Sequence, residues 1–300
     1  MSSCSFEIKP ITLSDKPLFD SYFKNATFMN SDFTFTNLFM WKKAYNIRYA
    51  EINGCLCIFS RYKNAPESVT FPLGKDPEIA LGQLIDFLKS QNTPFLIRIF
   101  SREQKSLVKH FFPDTFNFEK DMGNSDYVYK TSDLVELPGA RYHAKRNHIN
   151  KFKSLYDFEY RSLTPADKDE CKEMFSYWCS TKQGKIENIA EQLEAVGELL
   201  DNWESLDIKG GGIFVDGKMV AFSFGEVLNQ NKSIAVIHLE HANTDFQGSF
   251  AIMNQQFAEN QWSHLQFINR EEDMGLEGLR KAKKSYYPVF MVEKYMAVHK

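Results

Sequence analysis

Cysteine is scarce in this chain of 300 residues, with five in all: Cys4, Cys55, Cys57, Cys171 and Cys179. An odd, sparse set of this kind is no disulfide framework. Neither the C-x-C pair nor the interval from Cys171 to Cys179 has the spacing of a zinc or redox site. Five reduced thiols are expected. Long apolar runs are also missing. None approaches the ~18 consecutive apolar residues that a membrane helix needs, and the opening MSSCSFEIKP lacks the apolar core of a signal peptide. A soluble, cytoplasmic chain with no transmembrane segment is the expectation. Excess charge of one sign is absent too: 36 Lys and Arg against 39 Asp and Glu give a net charge of −3. Nucleic acid is therefore not held by bulk charge, and any anion site is a local patch. There is no G-x-S-x-G, P-loop, H-E-x-x-H or G-x-G-x-x-G motif. The seven histidines include no pair at ligand spacing beside an acid, so no metal is assigned.

What the chain does have is core material: 43% hydrophobic residues, with 27 Phe and 13 Tyr. At about 150 residues per domain, the length suggests two domains. The two halves also resemble each other. Residues 6–23 (FEIKPITLSDKPLFDSYF) and 158–175 (FEYRSLTPADKDECKEMF) share Phe6/Phe158, Glu7/Glu159, Thr12/Thr164, Asp15/Asp167, Lys16/Lys168 and Phe23/Phe175. Each segment reads as a short strand, then a hydroxyl residue before a helix with an acid just inside it. A hairpin follows in each half, turning at Asn53-Gly54 and at Asp216-Gly217. Next come a strand and a helix, a further strand (PFLIRIF; HLQFIN), a helical stretch and a last strand (DYVYKT; VFMVEKYMAV). This order resembles the GNAT acyltransferase fold, in which a mostly antiparallel sheet splays open between its fourth and fifth strands. The expected class is α/β (α+β), with two tandem GNAT-like domains, each a mixed, mostly antiparallel sheet flanked by helices. The expected boundaries are 1–137 and 157–300, joined by a junction helix over 138–156.

Three constellations carry polar chemistry. The junction helix has five basic residues and no acid, with Arg141, Lys145 and Arg146 at its start. It reads either as a phosphate clamp or as a solvated helix that meets acids elsewhere. In the segment 237–259, Gly248 and Ser249 stand at a helix start, where unpaired N–H groups favour an anion. An ordinary strand-to-helix turn is the alternative. After the strand HLQFIN come Asn269, Arg270, Glu271, Glu272 and Asp273, then Arg280, Lys283, Tyr286 and Tyr287. The carboxyl end of a strand is where open α/β sheets bind ligands. An ion-pair lattice such as Glu277–Lys281 accounts for part of that run. His238 and Glu240 share a strand face, and a lone strand histidine reads as structural.

These same stretches carry a more specific likeness. SDFTFTNLFMW at 31–41, DYVYKTSDLVELPGARYHAKRNHINKF at 126–152 and NREEDMGLEGLRKAKKSYYP at 269–288 resemble a soluble group that shares the C-terminal domain of phosphatidylglycerol lysyltransferases. The shared motifs are L-x-G-x-x-Y-x-x-K-R-N and N-R-E-x-D-x-G-x-x-G-L-R-K-A-K. The group is related to the Fem aminoacyltransferases, and its membrane relatives pass an amino acid from aminoacyl-tRNA to a lipid head group. The resemblance implies acyl or aminoacyl transfer to an amine or hydroxyl acceptor, a small molecule or a peptide, with the site in the C-terminal domain. Aminoacyl-tRNA, through its acceptor end, or acyl-CoA is the implied donor, and no other cofactor is assigned. Arg270, Arg280 and Lys283 are then the phosphate and oxyanion contacts, alongside Asn269. Glu271 and Asp273 hold the donor's α-ammonium, and Glu240 is a base. A non-catalytic GNAT-fold binding module and an acyl-CoA-dependent N-acyltransferase are the alternatives.

Overall fold

The structure is a computed structural model and describes residues 6–23, 29–182, 188–229 and 233–300; Cys4 lies outside them. The chain divides into two compact units, Met1–Ser125 with Val292–Lys300, and Asp126–Met291. The first unit opens with strand β1 (Lys9–Pro10), helix α1 (Lys16–Phe23), helix α2 (Phe35–Met40) and strands β2 (Arg48–Ile52), β3 (Cys55–Ser60), β4 (Glu67–Thr70) and β5 (Leu73–Gly74). Helix α3 (Pro77–Ser90), β6 (Phe95–Ile99), α4 (Arg102–Phe111) and β7 (Phe116–Lys120) follow. The second unit contains β8 (Asp126–Lys130), α5 (Thr131–Glu136), α6 (His143–Leu155), β9 (Phe158–Leu163), α7 (Lys168–Lys182) and α8 (Ile189–Asp201). It continues through β10 (Lys209–Val215), β11 (Lys218–Asn229), β12 (Ile234–Ala242), α9 (Ser249–Phe257), β13 (Phe267–Asn269), α10 (Glu277–Lys284) and β14 (Phe290–Val292). A final strand, β15 (Tyr295–His299), returns to the first unit.

The two sheets are built alike. In the first the order is β1-β2-β3-β4-β6-β15-β7, with β5 beside β3; in the second it is β14-β8-β13-β12-β11-β10-β9. Read from opposite ends, the strands correspond one to one. The parallel pairs β4·β6 and β12·β13 hold the same place in each, and β1·β2, β2·β3, β3·β4, β6·β15 and β15·β7 in the first sheet and β9·β10, β10·β11, β11·β12 and β13·β8 in the second are antiparallel. Local chemistry repeats as well. The amide and hydroxyl of Thr12 both donate to Asp15 Oδ2 at 2.7 Å. Those of Thr164 donate to Asp167 Oδ2 at 2.8 and 3.0 Å. These capping boxes satisfy donors that a helix start otherwise leaves open. Both hairpins close on two residues with positive φ, Asn53 and Gly54 (47° and 70°) and Asp216 and Gly217 (51° and 74°). That geometry matches the right-handed strand twist.

Three expectations need correction. The strand DYVYK does not end the first domain: β8 lies beside β13 in the second sheet. VFMVEKYMAV is not one strand of the second domain. Glu293 and Lys294 divide it, β14 stays in the second sheet, and β15 lies between β6 and β7 in the first. The last strands of the two halves are thus exchanged. Nor does a helix span 138–156 as a junction. A short turn over Ala140–Tyr142 leads into α6, which lies wholly inside the second unit, with Ile149 and Phe152 buried in its core. Pairing between strands distant in sequence decided all three, and no local pattern encodes it.

Each unit has its own core. In the first, Ala80, Leu81, Leu84, Ile85 and Leu88 form the apolar stripe of α3 against Cys55, Cys57, Ile97 and Ala297. In the second, Ile252, Met253 and Phe257 of α9 pack with Tyr129, Tyr142, Phe152 and Trp262. The four described cysteines are free and buried.

Candidate functional site

β12 and β13 pair for only three residues, Ile234 with Phe267, Ala235 with Ile268 and Val236 with Asn269. β12 runs on to Ala242 while the chain turns away after Asn269. Where this parallel ladder ends, side chains from both strands' continuations meet. His238 and Glu240 come from β12, and Arg270 and Glu271 come from the turn after β13.

Arg270 is the centre of the group. Its Nη2 donates to Glu240 Oε1 at 2.9 Å, and both side chains are 13% exposed. The other carboxylate oxygen of Glu240 accepts from Asn254 Nδ2 of α9 at 3.1 Å. The guanidinium sits 4.9 Å from the Tyr286 ring and 5.6 Å from that of Tyr129. Burial opposes its charge, but Glu240 more than restores it, and the arginine's pKa is raised. Nη1 is buried and, among the described residues, has no hydrogen-bond partner, an uncommon state for a guanidinium donor. Two lysines join it. Lys283 donates to the carbonyls of Arg270 and Glu271; burial and the neighbouring Arg270 lower its pKa. Lys145 of α6 lies 4.0 Å over the Tyr286 ring. Burial, with the Arg270 charge adding to it, brings its amine down to about 8.

Beside this group lies a second. His238 is buried between two carboxylates, its Nε2 at 2.9 Å from Glu226 Oε1 and its Nδ1 at 2.8 Å from Glu271 Oε1. Burial disfavours the imidazolium, yet the two hydrogen-bonded glutamates outweigh it and hold the pKa at about 9.

The acidic triplet expected to hold an ammonium is divided. Glu271 faces His238. Asp273 is fully buried and accepts from Tyr127 Oη at 2.6 Å, Arg280 Nε at 2.7 Å, Arg280 Nη2 at 3.0 Å and the Gly275 amide at 2.8 Å. Burial raises its pKa, but those donors prevail and hold it below the usual carboxylate range. With four donors on two oxygens, Asp273 has little left for a ligand, and Arg280 is turned toward it. Asn269 ties the turn together: its Nδ2 donates to Asp126 at 2.9 Å and its Oδ1 accepts the Glu271 amide at 2.7 Å.

The three basic residues at 141–146 do not act as one surface. Arg141 pairs with Asp133 at 2.9 Å, and Arg146 donates to the carbonyls of Leu137 and Gly139. Those carbonyls close the turn after α5. Lys145 alone points to the Arg270 group. Gly248 is also accounted for by packing: a Cβ there would lie 2.4 Å from the His148 carbonyl oxygen of α6. Ser249 donates to the Asn243 carbonyl at 2.8 Å. Sequence reasoning missed Glu226, Tyr127, Tyr129 and Asn254, and it read His238 as structural. The i, i+2 tyrosines of DYVYK were the available signal, since aromatic hydroxyls on a central strand need partners.

Among the described residues, no helix is long and apolar enough to cross a membrane. The chain is 21% identical over 178 residues to a Mycoplasmoides gallisepticum protein, a match covering 58% of this chain and 56% of that one. The chain thus spans little more than half the length of this curated relative. A conserved Bacteroides thetaiotaomicron protein of unknown function has a solved structure at 34% identity, with a TM-score of 0.91, covering 99% of this chain and 100% of that one. L-PGS from Bacillus licheniformis matches at 15% identity and TM-score 0.66, covering 97% and 93%. The fold is also that of FemX (10% identity, TM-score 0.60, 97% of each chain) and of a tandem GNAT protein from the clavulanic acid pathway (8%, 0.53, 98% of each). The expected class of two mixed sheets in a tandem GNAT-like arrangement holds. The family model for the C-terminal region of phosphatidylglycerol lysyltransferase matches residues 23–298, and the chain belongs to that family.

Proposed function

We propose that the chain transfers an aminoacyl group from aminoacyl-tRNA to an amine or hydroxyl acceptor, at the carboxyl ends of β12 and β13. One observation carries the reading: the buried Arg270, fixed by Glu240 and Tyr286, keeps one guanidinium nitrogen without a partner among the described residues. Attack on an ester carbonyl places negative charge on the carbonyl oxygen, and a preorganised donor in a dry site lowers that barrier. The aminoacyl ester is already activated, so no protein nucleophile is needed. Lys145, with its amine brought down to about 8, takes the proton from the attacking group. The new bond forms at the carbonyl carbon, the ester C–O bond breaks, and the proton leaves with the ribose oxygen of the tRNA end. Glu240, expected as a base, has both oxygens engaged and acts by holding Arg270. The family's name and the likeness to FemX support an aminoacyl donor over acyl-CoA. The crowded start of α9 at Gly248 gives no support to a pyrophosphate cradle.

The test uses the full chain with aminoacyl-tRNA labelled in the amino acid, in the presence of candidate amines and alcohols. Consumption of the ester above the spontaneous rate is expected. Losing one such donor costs about 10²–10³ in rate, so an Arg270→Met, Glu240→Gln double variant, which leaves no unpaired charge, should fall by that amount. Release of free thiol from acyl-CoA, with aminoacyl-tRNA left intact, would overturn the reading.

A further inference from the structure

The parallel ladder of the first sheet also ends in a gap. β4 and β6 pair from Glu67 with Phe95 to Thr70 with Arg98, and the Phe71 amide adds one bond to the Arg98 carbonyl at 2.8 Å. Beyond it the strands part. After Pro72 one returns to β3, where Leu73 and Gly74 pair as β5. The other turns into α4. Between them lies a cleft of about 690 Å³ whose apolar lining includes Phe71, Pro72, Leu73 and Leu107. That volume lies within the range of small-molecule sites.

Two polar residues of the lining are fixed from behind. Gln104 is 5% exposed, and its Oε1 accepts the Phe100 amide at 2.8 Å. That bond orients the side-chain amide and leaves Nε2, with its two N–H groups, without a partner among the described residues. A buried donor in that state is uncommon. Nε2 is not sealed in the core, and the surface it reaches is the cleft that Gln104 lines. Lys75 is the second residue. The Cys55 thiol donates to its carbonyl at 3.1 Å. Gly74 before it has no room for a Cβ, which would meet the Gly54 carbonyl oxygen at 2.7 Å. Asp76 after it holds a left-handed backbone, at φ 55°. Such conformations persist only where the surroundings impose them, and they cluster at ligand sites.

We propose that this cleft in the first unit is a second ligand site, which takes an apolar molecule bearing an uncharged carbonyl group, an amide or an ester, and seats the carbonyl oxygen on Gln104 Nε2. The donor selects the class. Nε2 offers hydrogens and no lone pair, so its partner is an acceptor. An ionised carboxylate leaves water only against a paired charge, and the buried donor here is neutral. The lining adds no net charge, because Lys75 is offset by Glu103. Hydrogen bonds from its own amide and from Ser101 hold the Glu103 carboxyl below its usual range, so it is an anion. Nor is the start of α3 a phosphate cradle. Pro77 removes one amide from its first turn, and the acids Asp76 and Glu78 flank that proline. The site is independent of the transfer reading in the second unit.

The probes are 2-naphthylacetamide, an apolar amide, and 2-naphthylacetate, the same body ionised. Each is titrated into the full isotope-labelled chain at neutral pH and followed by NMR at the Gln104 side-chain amide and the Leu107 methyl groups. The amide should shift both signals with a dissociation constant of about 1 mM or tighter, the yield per atom of a ligand of that size. The carboxylate should bind about tenfold more weakly or worse. Gln104→Glu keeps an acceptor for the Phe100 amide and removes the donor; checked by thermal melting, it should bind the amide about tenfold less well. Leu107→Trp leaves Gln104 in place and fills the cleft, so it should weaken both probes alike. Shifts at neither group up to the solubility limit overturn the proposal, as does a carboxylate that binds as well as the amide. Parent-like affinity for the amide in a folded Gln104→Glu, or in Leu107→Trp, overturns it too.

Discussion

His238 and His241 lie three residues apart on β12, both buried, and burial disfavours the charged form of each. Their fates differ because of what stands beside them. His241 is packed among Phe175, Trp178 and Phe222 with no carboxylate beside it among the described residues, and burial pushes it down to about 3. His238, between Glu226 and Glu271, is held at about 9. A group whose folded pKa lies above its unfolded value contributes stability that is complete below the unfolded pKa, here 6.5. That contribution disappears as pH rises through 9. The interval corresponds to roughly 3 kcal/mol. Lys145 and Lys283, with lowered pKa values, gain stability over the same range, so the reference is His238→Gln. Between pH 6.5 and pH 9.5, urea unfolding of the parent should lose roughly 3 kcal/mol relative to that variant, and Glu226→Gln should lose less. Equal losses in the two proteins would mean that the imidazolium is not held by the pair. Asp273 makes a parallel case with the opposite sign. Its folded pKa is depressed, so its stabilisation is present above pH 4 and is lost on acidification. Asp273→Asn should cost about 2 kcal/mol in unfolding free energy, the usual penalty for disrupting a buried charged hydrogen-bond set. A silent substitution there would return the acid to the list of ligand contacts.

Among the elements, the legible parts were those written locally. Thr12 and Asp15, like Thr164 and Asp167, announce a helix start by spacing alone, and the structure closes both capping boxes. Asn53-Gly54 and Asp216-Gly217 announce hairpins for the same reason. The place where these charges gather was legible too, because charges that follow an apolar strand must emerge at its end. What each charge does was not, because its partner comes from a different element. Arg146 resembles Lys145 in sequence, yet it spends its donors on the carbonyls of Leu137 and Gly139 while Lys145 reaches Tyr286. Gly248 is the sharpest instance. Its left-handed φ of 95° and the 2.4 Å approach that a Cβ would make to the His148 carbonyl both concern how α9 packs on α6. Gly248→Ala should therefore lower stability by about 2 kcal/mol or more, combining left-handed strain with a backbone clash. A phosphate cradle predicts a different outcome, unchanged melting with lost anion binding, and thermal melting separates the two.

For the molecule as a whole, the exchange of β8 and β15 means that the end of the chain completes the sheet in which it began. β15 is a central strand of that sheet, paired with β6 on one side and β7 on the other, and it buries Tyr295 and Ala297 in the core of the first unit. Its entry is fixed by charge. Lys294, 3% exposed, pairs with Asp32, which also takes Arg98 Nη2 at 2.9 Å. Asp32 belongs to the SDFTFTN stretch that carried part of the family likeness, so that likeness records an anchor for a strand more than 260 residues away in sequence. Burial raises the Asp32 pKa, but Lys294 and Arg98 bring it below the ordinary carboxylate value, so the aspartate enters the fold as an anion. Removing one cation from a buried ion set leaves charge uncompensated and typically costs 3–5 kcal/mol; Arg98 remains, so Lys294→Met should fall near the lower bound, at about 3 kcal/mol. The loss belongs to the first unit alone. Hydrogen exchange on Lys294→Met should therefore speed up at amides of β6 and β7 while those of β11 and β12 keep their protection. Uniform acceleration across both sheets would show that the units unfold together, and no acceleration would show that β15 is held by its strand pairing without the buried lysine.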